Sequence, residues 1–160
     1  MKLARRIEEI QFDKNSVVTI GTFDGVHLAH QKIIQEVVTR AKEHNYRSIV
    51  ITFEPHPREI ILSTNGDIKL LTTTEERQNI CDQFGVDIFA VLKFDLAFSA
   101  QTIDENLERI CRGLCRPTLI LATSDHPIHV EKWAHLEDNN TDVPLIASYV
   151  NVASGPKKGE

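Results

Sequence analysis

The chain has 160 residues, 41% hydrophobic and 26% charged, with a formal net charge of −5. That length fits one domain, residues 1–160, with room for a real core, and the acidic balance argues against general nucleic-acid binding, which wants a basic face. No apolar run approaches membrane-spanning length, and Met1-Lys2-Leu3-Ala4-Arg5-Arg6 is not followed by the apolar stretch of a secretory signal. Cys81, Cys111 and Cys115 follow neither a disulfide framework nor zinc spacing, so buried, reduced thiols in a cytoplasmic protein are expected.

Residues 1–16 are polar and read as a short helix or coil. Val17-Val18-Thr19-Ile20 is an apolar, β-branched run that suits a buried, central strand of a parallel sheet. Gly21-Thr22-Phe23-Asp24-Gly25-Val26-His27-Leu28-Ala29-His30 follows it directly. Ile33, Ile34, Val37, Val38 and Ala41 then recur at helical spacing, which predicts a first helix reaching about His44. His27 and His30, three apart at the helix start, fall on one face. The first helical turn also presents unpaired N–H groups and the positive end of the helix dipole, a combination that holds anions. Strand, glycines, aspartate and paired histidines in this order predict a polyphosphate site. The pattern fits neither a Walker loop, which needs Gly-Lys-Ser/Thr, nor a three-glycine dinucleotide fingerprint.

Ser48 to Phe53 reads as the second buried strand, completing a strand–helix–strand crossover. Glu54-Pro55-His56-Pro57-Arg58-Glu59 predicts an extended loop at its carboxyl end, where open α/β sheets bind ligands. Residues 60–71 read as a loop turning at Asn65-Gly66-Asp67. Thr73 to Glu76 is a capping box whose helix stops at Gly85. Asp87 to Leu92 is a third strand and Phe94 to Phe98 a loop. Thr102 to Glu105 is a second capping box, for a helix lined by Ile103, Leu107, Ile110, Cys111 and Leu114. Pro117 to Ala122 is a fourth strand, Val130 to Leu136 a short helix, Val143 to Val152 a fifth strand, and residues 155–160 a frayed tail. The alternation predicts an α/β, Rossmann-like open parallel sheet of about five strands flanked by helices.

Gly21 to His30 resembles the nucleotidylyltransferase signature, His-x-Gly-His at the first helix start. The fuller wording Thr-Phe-Asp-Gly-Val-His, with Thr52-Phe53-Glu54-Pro55-His56-Pro57 downstream, is similar to the FMN adenylyltransferase module of bacterial bifunctional riboflavin kinase/FAD synthetases. The Leu-Thr-Thr start and Gly85-Val86-Asp87 end of the next helix, and the Phe94–Phe98 segment, resemble it too. Ala29 departs from the pattern, standing where that family has glycine. The match covers residues 17–121 well. Beyond them only Asp125 survives of a Gly-x-Asp/Asn-Phe-x-Phe-Gly segment, and Ala153-Ser154-Gly155 has no arginine behind it where the family has Ile-Ser-Ser-x-x-Ile-Arg. No riboflavin kinase domain is expected.

The resemblance implies adenylyl transfer from ATP, with Mg2+, to FMN, giving FAD and pyrophosphate. His27 and His30 are then the catalytic histidines, and Gly21, Thr22, Phe23, Asp24, His27, Ala29, His30 and Asp125 the ATP-binding set. His56, Pro57 and Arg58 face FMN, and Asp24 is an outer-shell partner for the metal. ATP and FMN are the implied partners, with no nucleic acid and no membrane. Two other classes stay open: a degenerate nucleotide-binding paralogue with little turnover, and a nucleotidylyltransferase for another phosphorylated small molecule.

Overall fold

The computed structural model describes residues 1–10, 15–62, 68–102, 105–106 and 109–110, and the strand path of 117–122. Strands β1 (Lys2–Ala4), β2 (Ser16–Ile20), β3 (Arg47–Glu54), β4 (Ile88–Lys93) and β5 (Pro117–Ala122) form one sheet in the order β1-β4-β3-β2-β5. Every pairing is parallel, with Val17 opposite Ser48, Val50 opposite Phe89, and Val18 opposite Ile120. The helices are α1 (Leu28–His44), α2 (Pro57–Ile61), α3 (Thr74–Gln83) and α4 (Leu96–Ser99).

The strands are apolar on both sides because both faces are covered, as a parallel sheet requires. Val18, Ile49, Ile51, Ala90 and Leu92 pack on one side with Phe94, Phe98 and Ile110. Val50, Phe89 and Val91 pack on the other with Ile34 and Val38 of α1 and Cys81 of α3. Each such side chain contributes roughly 1.5–3 kcal/mol by leaving water. Cys81 is free and buried, and burial pushes its thiol up to about 12, so it is inert at neutral pH. Cys111 and Cys115 lie outside the described residues.

Several expectations hold in detail. α1 ends at His44 with Asn45 in the left-handed region at φ 53°. Thr73 and Glu76 exchange both hydrogen bonds of a capping box, α3 gives way to Gly85 at φ 79°, and Thr102 and Glu105 form the second box.

β2 lies inside the sheet, between β3 and β5, as expected of a central strand. Three expectations are corrected. Lys2–Ala4 is an edge strand, not helix or coil; its partner is β4, eighty-odd residues away, so nothing local announces it. The Glu54–Glu59 loop turns after a cis Glu54–Pro55 peptide into helix α2, with Pro57 in its first turn and His56 as its cap. Residues 96–99 are one helical turn because the Asp95 carboxylate accepts from the Phe98 N–H at 2.9 Å. The turn at 65–67, Asp125, the 130–136 helix and the 143–152 strand lie outside the described residues.

Candidate active site

The carboxyl ends of β2 and β3 converge on the segment joining β2 to α1. There the chain makes a short 3-10 turn, Asp24–Val26, with Phe23, Gly25 and Val26 all at positive φ. Gly25, at φ 74°, is where a side chain is least tolerated, since an added Cβ would also stand 2.9 Å from the Leu71 side chain. Gly21 serves differently: its missing side chain lets the Phe23 ring fold back to within 3.2 Å of where a Cβ would be.

Four outside residues pin this segment. The Asp24 Oδ1 accepts from the Leu71 N–H (2.9 Å), the Thr72 N–H (3.0 Å) and the Thr72 hydroxyl. The Gly25 N–H donates to the Thr72 Oγ1 at 2.9 Å. The Thr22 carbonyl accepts from Arg77 Nη1 at 2.6 Å and from the Thr52 hydroxyl at 3.1 Å. Charge-assisted contacts of this length are the stronger kind.

His27 is the cap residue of α1 rather than a member of its first turn, and no side chain caps the helix there. The Leu28, Ala29 and His30 N–H groups therefore begin the helix facing outward, with the dipole behind them. The imidazoles of His27 and His30 stack with centroids 3.7 Å apart, and the Phe23 ring meets His30 edge-on at 5.3 Å. His27 is exposed and His30 half-buried. The His30 Nδ1 is buried and has no hydrogen-bond partner among the described residues. Burial pulls the His30 pKa below the ordinary histidine value, His27 reinforces this, and Asp24 opposes it.

His56 is buried and Arg58 exposed, with Pro57 between them. The His56 Nδ1 accepts from the Arg58 N–H at 3.2 Å, which leaves its proton on Nε2. Burial lowers its pKa too, against the pull of Asp24. Asp24, His56 and Arg77 thus share one electrostatic neighbourhood beside the histidine stack.

Two features escape a reading by motif. Arg77 is a guanidinium buried on α3, four residues from buried Cys81; an arginine in phase with an apolar helix stripe is the signal that was there to find. The second is a cavity of about 280 Å³ on the opposite face of the sheet, lined by Ile20, Phe53, Ile61, Phe94, Phe98 and Asn106 among others. Its three phenylalanine rings lie 5.3–5.6 Å apart, centroid to centroid. Among the described residues no cluster of three acidic, histidine or cysteine side chains could hold a metal ion, and no helix is long and apolar enough to cross a membrane.

The FAD synthetase family profile matches residues 9–138. The chain belongs to the FAD synthetase family. It is 35% identical over 111 residues to a bifunctional riboflavin kinase/FMN adenylyltransferase of Buchnera aphidicola, covering 69% of this chain and 35% of that protein. A protein of the same description from Listeria monocytogenes is 37% identical over 87 residues, covering 54% of this chain and 28% of the relative. The Bacillus subtilis one is 33% identical over 99 residues, covering 62% and 31%. This FAD synthetase-family chain therefore spans about a third of the length of the curated relatives it matches. A crystal structure described as a macrolide-efflux protein from Streptococcus pneumoniae superposes with a TM-score of 0.67 at 20% identity, covering 86% of this chain and 48% of that one. At that identity the likeness establishes the shared fold alone.

Proposed function

We propose that the chain transfers the adenylyl group of ATP to FMN, forming FAD and releasing pyrophosphate. The observation that carries this is the stacked His27–His30 pair at the uncapped start of α1, with the His30 Nδ1 awaiting a partner. The FMN phosphate oxygen attacks the α-phosphorus, the O–Pα bond forms, and the Pα–O–Pβ bond breaks as pyrophosphate departs. No protein nucleophile is needed. The protein aligns the two phosphates and stabilises charge on the equatorial oxygens. His27 and His30 donate to those oxygens, joined by the first N–H groups of α1. MgATP brings its own metal on the phosphates; Asp24, with Oδ1 held by the 71–72 backbone, would touch it only from the other oxygen through water.

The cavity supports a flavin as acceptor. It is apolar and aromatic, and its size approaches that of ordinary ligand pockets. Asn106 adds one polar anchor: its Nδ2 donates to the Phe98 carbonyl at 3.0 Å, and its buried Oδ1 has no partner among the described residues. That acceptor suits a ring N–H. His56, through Nε2, and Arg58 flank the FMN phosphate, and a chain using these substrates works in the cytoplasm. A second reading, nucleotide binding with little turnover, is favoured by Ala29 at the helix start.

FAD formation and pyrophosphate release, measured with ATP, Mg2+ and FMN, test the reaction. Replacing His27 and His30 by alanine should abolish turnover and weaken ATP binding several-fold, at roughly 0.5–1.5 kcal/mol per hydrogen bond lost. Unchanged ATP affinity by calorimetry would remove the histidines from the site. ATP binding without FAD formation would select the second reading.

A further inference from the structure

The Thr22–Phe23 peptide is trans, so its C=O and N–H point in opposite directions. The carbonyl is turned inward, where it accepts from both Arg77 Nη1 and Thr52 Oγ1. The Phe23 N–H is thereby turned away from Arg77 and Thr52, and it has no acceptor among the described residues. Left unconstrained, a peptide between a strand end and a left-handed residue flips readily, because few contacts hold it.

Arg77 prevents the flip. Its guanidinium joins three elements: the segment after β2 through Thr22, β3 through Thr52 at 3.3 Å, and the start of α3 through Thr74 at 2.9 Å. Each hydrogen-bond acceptor is neutral, and its Nε is buried with no partner among the described residues. Asp24 and Glu54 lie near enough to offset part of the cost of burying this cation, yet neither carboxylate bonds it, and an apolar side chain of the same volume would usually serve stability as well or better. The arrangement makes sense if its purpose is orientation and charge. Arg77 places a fixed positive charge directly behind the segment that precedes the α1 dipole.

We propose that Arg77 is a positioning residue that turns the Phe23 N–H toward a bound polyphosphate and backs it with charge. This rests on the reading of the α1 start as the ATP-phosphate site. Arg77 itself touches no substrate; it acts through the Thr22–Phe23 peptide. A lysine at this position supplies charge but not the fork that reaches Thr22, Thr52 and Thr74 together.

The test is a titration of the nitrogen-15-labelled chain with MgATP, following the Phe23 amide resonance alongside calorimetric affinity and Tm. In the parent, the Phe23 amide should shift saturably with the calorimetric Kd. Arg77→Met should weaken ATP at least tenfold and shrink the Phe23 shift, and Arg77→Lys should fall between. Thr52→Val, which removes the second donor to Thr22, should weaken ATP two- to fivefold and keeps the question answerable if Arg77→Met does not fold. A Phe23 amide indifferent to ATP in a chain that binds it, or folded Arg77 variants binding as tightly as the parent, would overturn the inference while leaving the site reading intact. A parent chain that binds no ATP would overturn both.

Discussion

The imidazoles of His27 and His30 lie face to face, 3.7 Å apart and within 23° of parallel, and the Phe23 ring meets His30 in an edge contact. Two stacked imidazoles at this distance resist carrying a charge each, and the half-buried member yields first. Burial, reinforced by the neighbouring His27, favours the neutral form of His30, and an anion at the helix start would give its imidazolium a partner.

A pH dependence of stability follows. Both His30 and His56 have pKa values lowered from 6.5, chiefly by burial. The unfolded chain thus binds more protons than the folded one just below that value, and stability rises with pH across the window. The nucleotide-free chain should keep its full Tm above about pH 7 and lose stability as pH falls from the ordinary histidine value toward the depressed ones. Glu9 and Glu76, lowered from 4.5, act only in a more acidic window. His30→Gln should flatten the pH 7 to 5 slope, and saturating MgATP should shrink it by giving the imidazolium a partner. A Tm that is level from pH 7 to 5 in the parent would contradict the burial of these two rings.

Gly25→Ala probes the hinge between strand and helix. Alanine at φ 74° pays a left-handed penalty of roughly 1–2 kcal/mol. The Leu71 contact at 2.9 Å adds little, because that side chain is exposed and can move. At this chain length the loss should lower Tm by about 2–4 °C per kcal/mol. The Gly25 N–H and Asp24 anchors to Thr72 should loosen with it, seen as faster amide exchange at Leu71 and Thr72. An unaltered Tm would mean that the segment takes another path.

What could be read from the sequence was what is local. β2, β3 and β4 announce themselves as apolar runs, α1 by its stripe, and α3 by Thr73, Glu76 and Gly85, because each signal lies within a dozen residues of the element it makes. Lys2–Ala4 has only three residues and becomes a strand through β4 alone. α2 and α4, of five and four residues, are too short for periodicity, although Pro57 and Asp95 mark their starts. The site divides the same way. The histidine pair and the Thr52–Pro57 stretch are contiguous in the chain. Arg77 beneath Thr22, and the cavity joining Ile20 to Asn106, exist only once the sheet has brought distant segments together.

Ala29 offers the sharpest test of where the nucleotide sits. It lies half-buried in the first turn of α1, next to His30 in the chain, where the FAD synthetase pattern has glycine. With the ATP phosphates over this turn, as proposed, its methyl group would hold them slightly farther from the helix start than glycine would. Removing it lets the backbone close in on the anion, and donors gain most from short distances. The helix cost is small, since glycine's penalty of about 1 kcal/mol applies to helix interiors. Ala29→Gly should therefore bind ATP at least as tightly as the parent, and FAD formation should rise if the rest of the site is competent. Tighter ATP binding with no gain in FAD would locate the defect beyond the helix start. Weaker ATP binding would show that the phosphates do not lie over this turn.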